Sequence, residues 1–449
     1  MTRHVIAGKM GADDKPAIML GPEEKLSSLK LMGVGGLTSG LGPVLTELTS
    51  LGLRPSETAV DLLVLAAHVY AADTRISRAT EAEDSWTREI RIVVPVSDHS
   101  LWAGATEVLT RTLDFLTGDR WSVEFRARPA KHMKLAGEPK KDLLSPTFDD
   151  VGLFSGGLDS LIGAIDALAA GHQPLLVSHA AEGLVSKAQE LCYDGLKEAF
   201  PGRDMDRVRL WMNFDSGLVA GVASEDSTRG RSFLFFALGV AVGSGLGRPF
   251  TLRVPENGLI ALNVPLDPLR LGALSTRTTH PFYMSRWNEI LAIVGISGEL
   301  KNPYWDKTKG EMVAACADGA LLKKLAPLSM SCSHPTSGRW TRTAQGHCGY
   351  CLPCLIRRAS LLGDDTTTYG LADLAAVALD TKRAEGKQVR SFQVAAARVA
   401  ADPHLAGILV HKPGPLSDDP SKLPTFASVY ARGLAEVAAL LDGVRTKPL

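Results

Sequence analysis

The stretch Leu153–Leu168, with the sequence LFSGGLDSLIGAIDAL, constrains the fold of this chain more than any other part of it. It runs from an apolar strand end through a glycine turn into an apolar helix, as in α/β proteins. Such a turn is a phosphate site, because unpaired backbone N–H groups and the positive end of the helix dipole point at the anion. Gly156 and Gly157 would let the backbone approach the phosphate oxygens.

The side chains of this turn fit the same interpretation. Ser155 and Ser160 offer hydroxyl donors, and Asp159 would hold a magnesium ion or cap the turn. A tight turn that binds nothing is the alternative, since Ser, Gly and Asp are common in turns. The chain has no GxxxxGK[ST] segment, which disfavours a P-loop kinase or GTPase.

Strands and helices alternate from Asp149 onward, which predicts a parallel sheet with ligands at the carboxyl ends of its strands. Ser178 and His179 are expected after the second strand, and Glu256 and Asn257 after the fourth. All four are candidate ligand contacts, with ordinary loop polarity as the alternative for His179 and Glu256.

Two capping boxes mark predicted helix starts in this region. Ser186 with Gln189 predicts one start, and Thr308 with Glu311 predicts another.

Four of the six cysteines cluster near one another in the sequence, at Cys332, Cys348, Cys351 and Cys354. The C-x-x-C spacing lets thiolates converge on one ion, and four soft thiolates suit a closed, structural zinc site. An iron–sulfur cluster is the alternative. The remaining cysteines, Cys192 and Cys316, lie on predicted helices without a partner at metal spacing.

The residues before Asp149 predict a separate small α/β domain. Thr58–Ala72 is apolar nearly all round and predicts a buried helix, while Trp86–Val96 alternates as a strand does. Trp86, Arg88 and Arg91 are expected on a solvated strand face, with contact to a partner as the alternative. The glycine- and proline-rich residues 1–50 are expected to form a mobile arm or a loop wrapped on a partner.

Composition and charge limit the classes of protein to which this chain could belong. The 449 residues carry 49 Lys and Arg against 49 Asp and Glu, so nothing global favours nucleic acid or an anionic membrane as a partner. No apolar run reaches the roughly 18 residues of a membrane span, and the N-terminus lacks a hydrophobic signal core. A cytoplasmic location is expected.

The segment Ser155–Ser160, SGGLDS, resembles the SGGxDS pyrophosphate loop of the PP-loop ATP pyrophosphatases. Together with the C-x(n)-C-x2-C-x2-C pattern, it is similar to the QueC-like, 7-cyano-7-deazaguanine synthase branch of that family. Arg229–Phe236 resembles the arginine-bearing helix start of the branch, and Asn302–Val313 its P-x-x-x-x-[ST]K-x-E segment. The likeness covers roughly residues 150 to 365.

This resemblance implies a PP-loop fold of the adenine nucleotide alpha hydrolase type with a zinc knuckle. The cofactors would be ATP, Mg²⁺ and Zn²⁺, and the substrate a 7-carboxy-7-deazaguanine-like carboxylate. ATP would adenylate the carboxylate and an amine would then replace AMP. The loop residues would bind the nucleotide, and Arg229 or Lys309 would stabilise the developing charge.

The chain departs from the synthase by its extra segments. We expect residues 1–145 to bind a partner, 146–365 to form the ATPase domain, and 366–449 to form a helical tail. This layout resembles the QueC-like component of Qat-type anti-phage defence systems, which implies a companion protein whose N-terminal amine is the acceptor.

Other functions stay open on the sequence alone. Ammonia could be the acceptor, as in a nitrile synthase, or the chain could be a catalytically silent nucleotide-binding scaffold. A PP-loop thiolase or tRNA-modifying amidotransferase is a further alternative, but a thiolase needs a reactive cysteine.

Overall fold

A computed structural model describes residues 2–82, 84–139, 147–180, 183–266, 277–336 and 345–447. Its strands are β1 (Arg3–Lys9), β2 (Glu24–Lys30), β3 (Met32–Gly33), β4 (Gly36–Leu37), β5 (Glu89–Val96), β6 (Arg120–Ala127), β7 (Asp150–Leu153), β8 (Pro174–Ala180), β9 (Asp206–Trp211), β10 (Phe250–Arg253), β11 (Gly298–Lys301), β12 (Leu379–Asp380) and β13 (Thr446–Lys447). Its α-helices are α1 (Leu41–Ser50), α2 (Glu57–Arg75), α3 (Arg78–Glu81), α4 (His99–Ala103), α5 (Thr106–Thr117), α6 (Leu158–Ala169), α7 (Gly183–Ala199), α8 (Arg231–Ser244), α9 (Gly258–Leu262), α10 (Pro281–Ile293), α11 (Lys309–Ala314), α12 (Gly319–Leu325), α13 (Leu352–Ser360), α14 (Ala384–Ala401), α15 (His404–Leu409) and α16 (Leu423–Leu440).

The N-terminal residues form a four-stranded parallel sheet with the order β2-β1-β5-β6. The expected arm or loop over residues 1–50 is therefore wrong, because β1 lies inside this sheet with Val5 and Ile6 fully buried. The apolar run in β1 is too short to stand out from the glycine- and proline-rich sequence that follows it. Arg88 is also not on a solvated face, since its side chain is fully buried.

The helix predicted over Thr58–Ala72 is confirmed as the core of α2, which the Ser56 side chain caps. This helix packs on β5 and on α8, so the four-stranded sheet and the second sheet share one continuous hydrophobic core. The predicted domain boundary near residue 145 lies outside the described residues.

The second sheet is five-stranded and parallel, with the order β11-β10-β7-β8-β9. The chain leaves β7 toward β8 and leaves β10 toward β11, in the opposite direction across the sheet. The carboxyl ends of β7 and β10 therefore flank the topological switch point, where sheets of this kind bind ligands. The segment Ser155–Ser160 follows β7, and Glu256 with Asn257 follows β10.

The C-terminal helices pack on the rest of the chain through a separate apolar cluster. Residues of α14, α15 and α16 meet Leu259 and Leu262 of α9, and Leu355 and Ile356 of α13. Within the described residues, no helix has the length and apolarity needed to cross a membrane.

Candidate functional site

The backbone of Ser155–Ser160 makes a tight turn between β7 and α6. Gly156 has a φ of 81°, a backbone angle that residues with a Cβ rarely adopt. A Cβ at this position would also lie 2.8 Å from the Gln189 side chain. Gly157 is the N-cap of α6 and, as a glycine, has no side chain that could cap the helix. A helix start without an N-cap side chain leaves backbone N–H groups that an anion could satisfy.

The two hydroxyls of the turn lie next to each other. Ser155 Oγ is 3.2 Å from Ser160 Oγ, and the Gly157 amide donates to Ser155 Oγ at 3.4 Å. Ser160 Oγ donates to the Gly157 carbonyl at 2.9 Å. The two hydroxyls that the sequence analysis names as donors thus lie side by side in the turn.

Asp159 points away from the mouth of the turn into a buried ion pair. Its Oδ1 lies 2.7 Å from Lys309 Nζ, and its Oδ2 accepts from the Asn257 side chain at 2.8 Å and its amide at 3.2 Å. Burial raises the pKa of Asp159, but Lys309 outweighs it and the pKa falls to about 2. Because cationic or amide groups occupy both oxygens, Asp159 does not fit the expected role of magnesium ligand.

Lys309 is the first residue of α11, whose start is fixed by the predicted Thr308–Glu311 capping box, here confirmed. The C-terminal helix α16 braces the same turn, since Glu436 accepts from Thr308 Oγ1 and from the Gly310 amide. The tail therefore helps to hold the lysine against Asp159.

Glu256 is the second carboxyl group beside this ion pair. Its Oε1 accepts from Asn257 Nδ2 at 3.2 Å. Burial first, and then the negative charge of Asp159, raise the pKa of Glu256 well above its usual range. Asn257 is fully buried and caps α9 through its Oδ1, so it orients both carboxyl groups.

A cavity of about 260 Å³ opens beside the turn. Ser155, Ser160 and Glu256 line one part of it, and Arg229 and Arg231 another. Phe235 and Phe236 of α8 supply apolar surface. The cavity thus combines hydroxyls, cations, one carboxyl group and aromatic rings, as small-molecule sites do.

Ser178 and His179 are placed differently from the sequence expectation, because both lie within β8 and are almost fully buried. Ser178 Oγ donates to the Phe154 carbonyl at 2.7 Å. The His179 ring lies edge-on to Tyr70, 5.6 Å between centroids, and burial with the Arg231 charge lowers its pKa to about 3. Neither side chain is among the described residues that line the cavity.

Sequence reasoning missed Gln189. The expected Ser186–Gln189 capping box is wrong, because α7 begins earlier, at Gly183, and Gln189 lies inside the helix. Its Nε2 instead donates to the Ser155 and His179 carbonyls, both at 3.3 Å. Only the three-dimensional arrangement gives this role, since no local pattern links Gln189 to the turn.

The four cysteines predicted as metal ligands converge. The sulfurs of Cys332, Cys348, Cys351 and Cys354 all lie within 4.8 Å of one another. Two of the pairs are 3.9 Å apart, close to the roughly 3.8 Å between thiolates bound tetrahedrally to zinc at 2.3 Å. Three of these cysteines are buried, so the donor set fits a closed structural metal site.

The chain just before Cys332 connects this cluster to the turn. The Met330 amide donates to the Gly156 carbonyl at 2.7 Å, and the Leu158 amide donates to Ser331 Oγ at 3.4 Å. Ser331 was also missed by sequence reasoning, since no local pattern links it to the turn. The segment that carries Cys332 therefore supports the turn.

Comparisons with protein-family models, curated proteins and solved structures found no match to this chain.

Proposed function

We propose that this chain is an ATP-dependent carbon–nitrogen ligase that adenylates a carboxylate resembling 7-carboxy-7-deazaguanine. The observation that carries the proposal is the position of the SGGLDS turn, Ser155–Ser160. It lies at the switch point of a doubly wound parallel sheet and lines the same cavity as Arg229 and Glu256. The substrate class comes from the resemblance to the QueC-like branch.

In the first step a carboxylate oxygen attacks the α-phosphorus of ATP. The bond from that phosphorus to the bridging oxygen breaks, pyrophosphate leaves, and an acyl-adenylate forms. In the second step an amine nitrogen attacks the acyl carbon and AMP leaves. The amine loses its proton to solvent or a base, and an amide remains.

The turn residues would bind the leaving pyrophosphate through the α6 N–H groups and the Ser155 and Ser160 hydroxyls. Arg229 would hold the substrate carboxylate, and Lys309 would fix Asp159 and the turn. Magnesium would supply charge neutralisation to the phosphates when bound. Zinc on the four cysteines would be structural.

The acceptor in this proposal is the N-terminal amine of a companion protein in an anti-phage defence system. The basis is the resemblance of the whole layout to QueC-like defence proteins. Ammonia is the alternative acceptor. A thiolase reaction is disfavoured, because burial raises the pKa of Cys192 to about 12 and that of Cys316 to about 11.

The test combines pyrophosphate release with mass spectrometry. The chain is incubated with ATP, Mg²⁺ and 7-carboxy-7-deazaguanine, with the companion protein or with ammonia. Release that depends on the acid, with a mass increase of the companion, supports the proposal. Ser155→Ala should abolish release, while Ser417→Ala, at an exposed tail serine, should not change it.

Each other outcome points to an alternative. Free nitrile formed efficiently from ammonia would indicate a synthase. Binding of ATP without any pyrophosphate release would indicate a silent scaffold and would contradict the ligase proposal.

A further inference from the structure

Arg229 lines the cavity and belongs to the core domain, which is the part of the chain from residue 147 onward that carries the five-stranded sheet. Residues of the N-terminal sheet unit nevertheless hold its side chain. The guanidinium carbon lies 4.0 Å from the centre of the Trp86 ring. Arg229 Nη1 also donates to the Thr117 carbonyl at 2.7 Å. Thr117 is the last residue of α5, and carbonyl groups at a helix C-terminus attract a cation.

A second arginine at this boundary is held in the same way. Arg277 Nη1 donates to the Phe115 carbonyl at 2.7 Å, and its guanidinium lies 4.6 Å from the centre of the Phe115 ring. The C-terminal turn of α5 thus receives two cations from the core domain. The following residues, Thr278 and Thr279, line the cavity.

The backbone beside Arg229 is fixed by the same N-terminal unit. The Gly230 amide donates to Asp73 Oδ2 at 2.7 Å. Asp73 is itself fully buried, with Arg78 at 3.2 Å and Arg88 at 3.0 Å from its other oxygen. Backbone and side chain of the arginine are therefore both anchored outside the core domain.

The charge of Arg229 is left for a ligand. Among the described residues, no carboxylate forms an ion pair with it, and its guanidinium contacts a carbonyl group and an aromatic face. Burial, and then repulsion from Arg78, lower the pKa of Arg229 to about 10. A guanidinium that is partly removed from water and borders a cavity is completed by an anion, and its planar fork matches a carboxylate.

We propose that Trp86 is a positioning residue that holds Arg229 as the carboxylate-binding group of the cavity. The N-terminal sheet unit is then a wall of the substrate site, whether or not it also contacts a partner. This inference rests on the proposed function, because the carboxylate it names is the one that ATP would activate.

The test compares Trp86→Ala with Trp86→Phe, which keeps an aromatic face under the guanidinium. Trp211→Ala removes a tryptophan that is 61% exposed on β9 and serves as the matched control. The KM for 7-carboxy-7-deazaguanine and the KM for ATP are measured separately by pyrophosphate release, and melting temperatures confirm folding. Binding of the acid alone is measured by titration calorimetry.

Trp86→Ala should weaken binding of the acid by about 5- to 30-fold, which is the loss expected for a desolvated cation–π contact. The KM for ATP should stay nearly unchanged. Trp86→Phe should restore most of the affinity. Arg229→Lys, which keeps the charge but not the planar fork, should behave like Trp86→Ala.

An unchanged KM for the acid in Trp86→Ala, or an equal rise for acid and ATP, would overturn the inference. So would a wild-type chain that does not bind the acid. Binding of the acid that depends on Trp86 without any pyrophosphate release would instead contradict the ligase proposal and leave the inference standing. If Trp86→Ala does not fold, Arg229→Lys and Trp86→Phe decide by the same measurements.

Discussion

Asp159 and Glu256 are held in opposite protonation states although one amide group, that of Asn257, donates to both. Lys309 lies against Asp159 and keeps it ionised, and that negative charge then helps to keep the proton on Glu256. Lys309 thus sets the charge of Asp159, whereas burial and the charge of Asp159 set that of Glu256.

Replacement of Asp159 by Asn should destabilise the fold, because Lys309 would stay buried without its counter-charge. Breaking such a pair costs about 3 to 5 kcal/mol. The pKa of Asp159 is lowered from 3.8 to about 2, so its contribution is present above pH 3.8 and is lost as the pH falls toward 2. Urea unfolding of wild type and variant should show a gap at pH 7 that narrows below pH 4.

A gap that stays constant down to pH 2 would contradict the ion pair as its source. Ser155→Ala is the control, since it removes a hydroxyl of the same turn without uncovering a buried charge.

Replacement of Glu256 by Gln should stabilise the protein at neutral pH. The folded-state pKa of Glu256 is raised above 4.5, so its favourable contribution is present below pH 4.5 and is lost as the pH rises. The stability gain of Glu256→Gln should therefore be larger at pH 8 than at pH 5, as measured by thermal unfolding. An equal or smaller gain at pH 8 would refute the raised pKa.

The residues of the site differ in how far sequence could predict them. Local sequence spacing predicts the turn and the four cysteines, because their chemistry requires particular residues at fixed offsets along the chain. Gln189 and Ser331 do not, because each reaches the turn from a distant segment through a single hydrogen bond. Ser178 and His179 were wrongly predicted to follow the second strand. The sequence does not show where the strand ends, and both residues lie within it, buried in the sheet.

At the scale of elements, hydrogen bonds join the cysteine cluster and the turn Ser155–Ser160 into one unit. The chain from Ser329 to Cys332 lies against Gly156 and Leu158, and Arg357 of α13 donates to Ser329 at 2.8 Å and Ser331 at 3.3 Å. Loss of a metal bound by the four cysteines should therefore also destabilise the turn.

Cys351→Ser should lose zinc, stability and ATP binding together. Structural zinc contributes about 10 kcal/mol in isolated finger peptides and less in a chain with its own cores. Metal analysis should find one zinc in the wild-type chain and none in the variant, and nucleotide titration should show weakened binding. Cys192→Ser, at a buried cysteine outside the cluster, should keep its metal.

A coloured wild-type protein would indicate an iron–sulfur cluster. Full ATP affinity in a metal-free variant would contradict the coupling between cluster and turn.

Two elements with strong local patterns were predicted correctly, although the Ser186–Gln189 capping box was not. The all-round apolarity of α2 and the capping box of α11 confirm what sequence can show. The strands β1 and β11 carry too few apolar residues in a row, and only their pairing in the sheets defines them. Parallel pairing of this kind joins segments far apart in sequence, so no local signal marks it.

For the whole molecule, the continuous core means that the N-terminal unit is not an independent module. The helix α2 contacts β5 on one side and α8 on the other, and both surfaces belong to one apolar cluster. If the two sheets belonged to independent domains, each would have a separate hydrophobic core.

Removal of residues 1–139 should therefore give insoluble or unfolded protein, because α8 would expose its apolar face. In the full chain the two sheets should unfold in one cooperative transition, with agreement between calorimetric and van't Hoff enthalpies. Two separate transitions, or a soluble truncated chain with native circular dichroism, would contradict the shared core.

The pairing of α2 with α8 also has a consequence for biosynthesis. Helix α2 is complete at Arg75, yet its partner begins only at Arg231, so the ribosome must first make the whole stretch between them. At typical elongation rates this takes roughly 8 to 30 seconds, during which the apolar surface that α8 will cover is exposed to the cell. A nascent chain of this protein should thus be a client of ribosome-associated chaperones until α8 emerges.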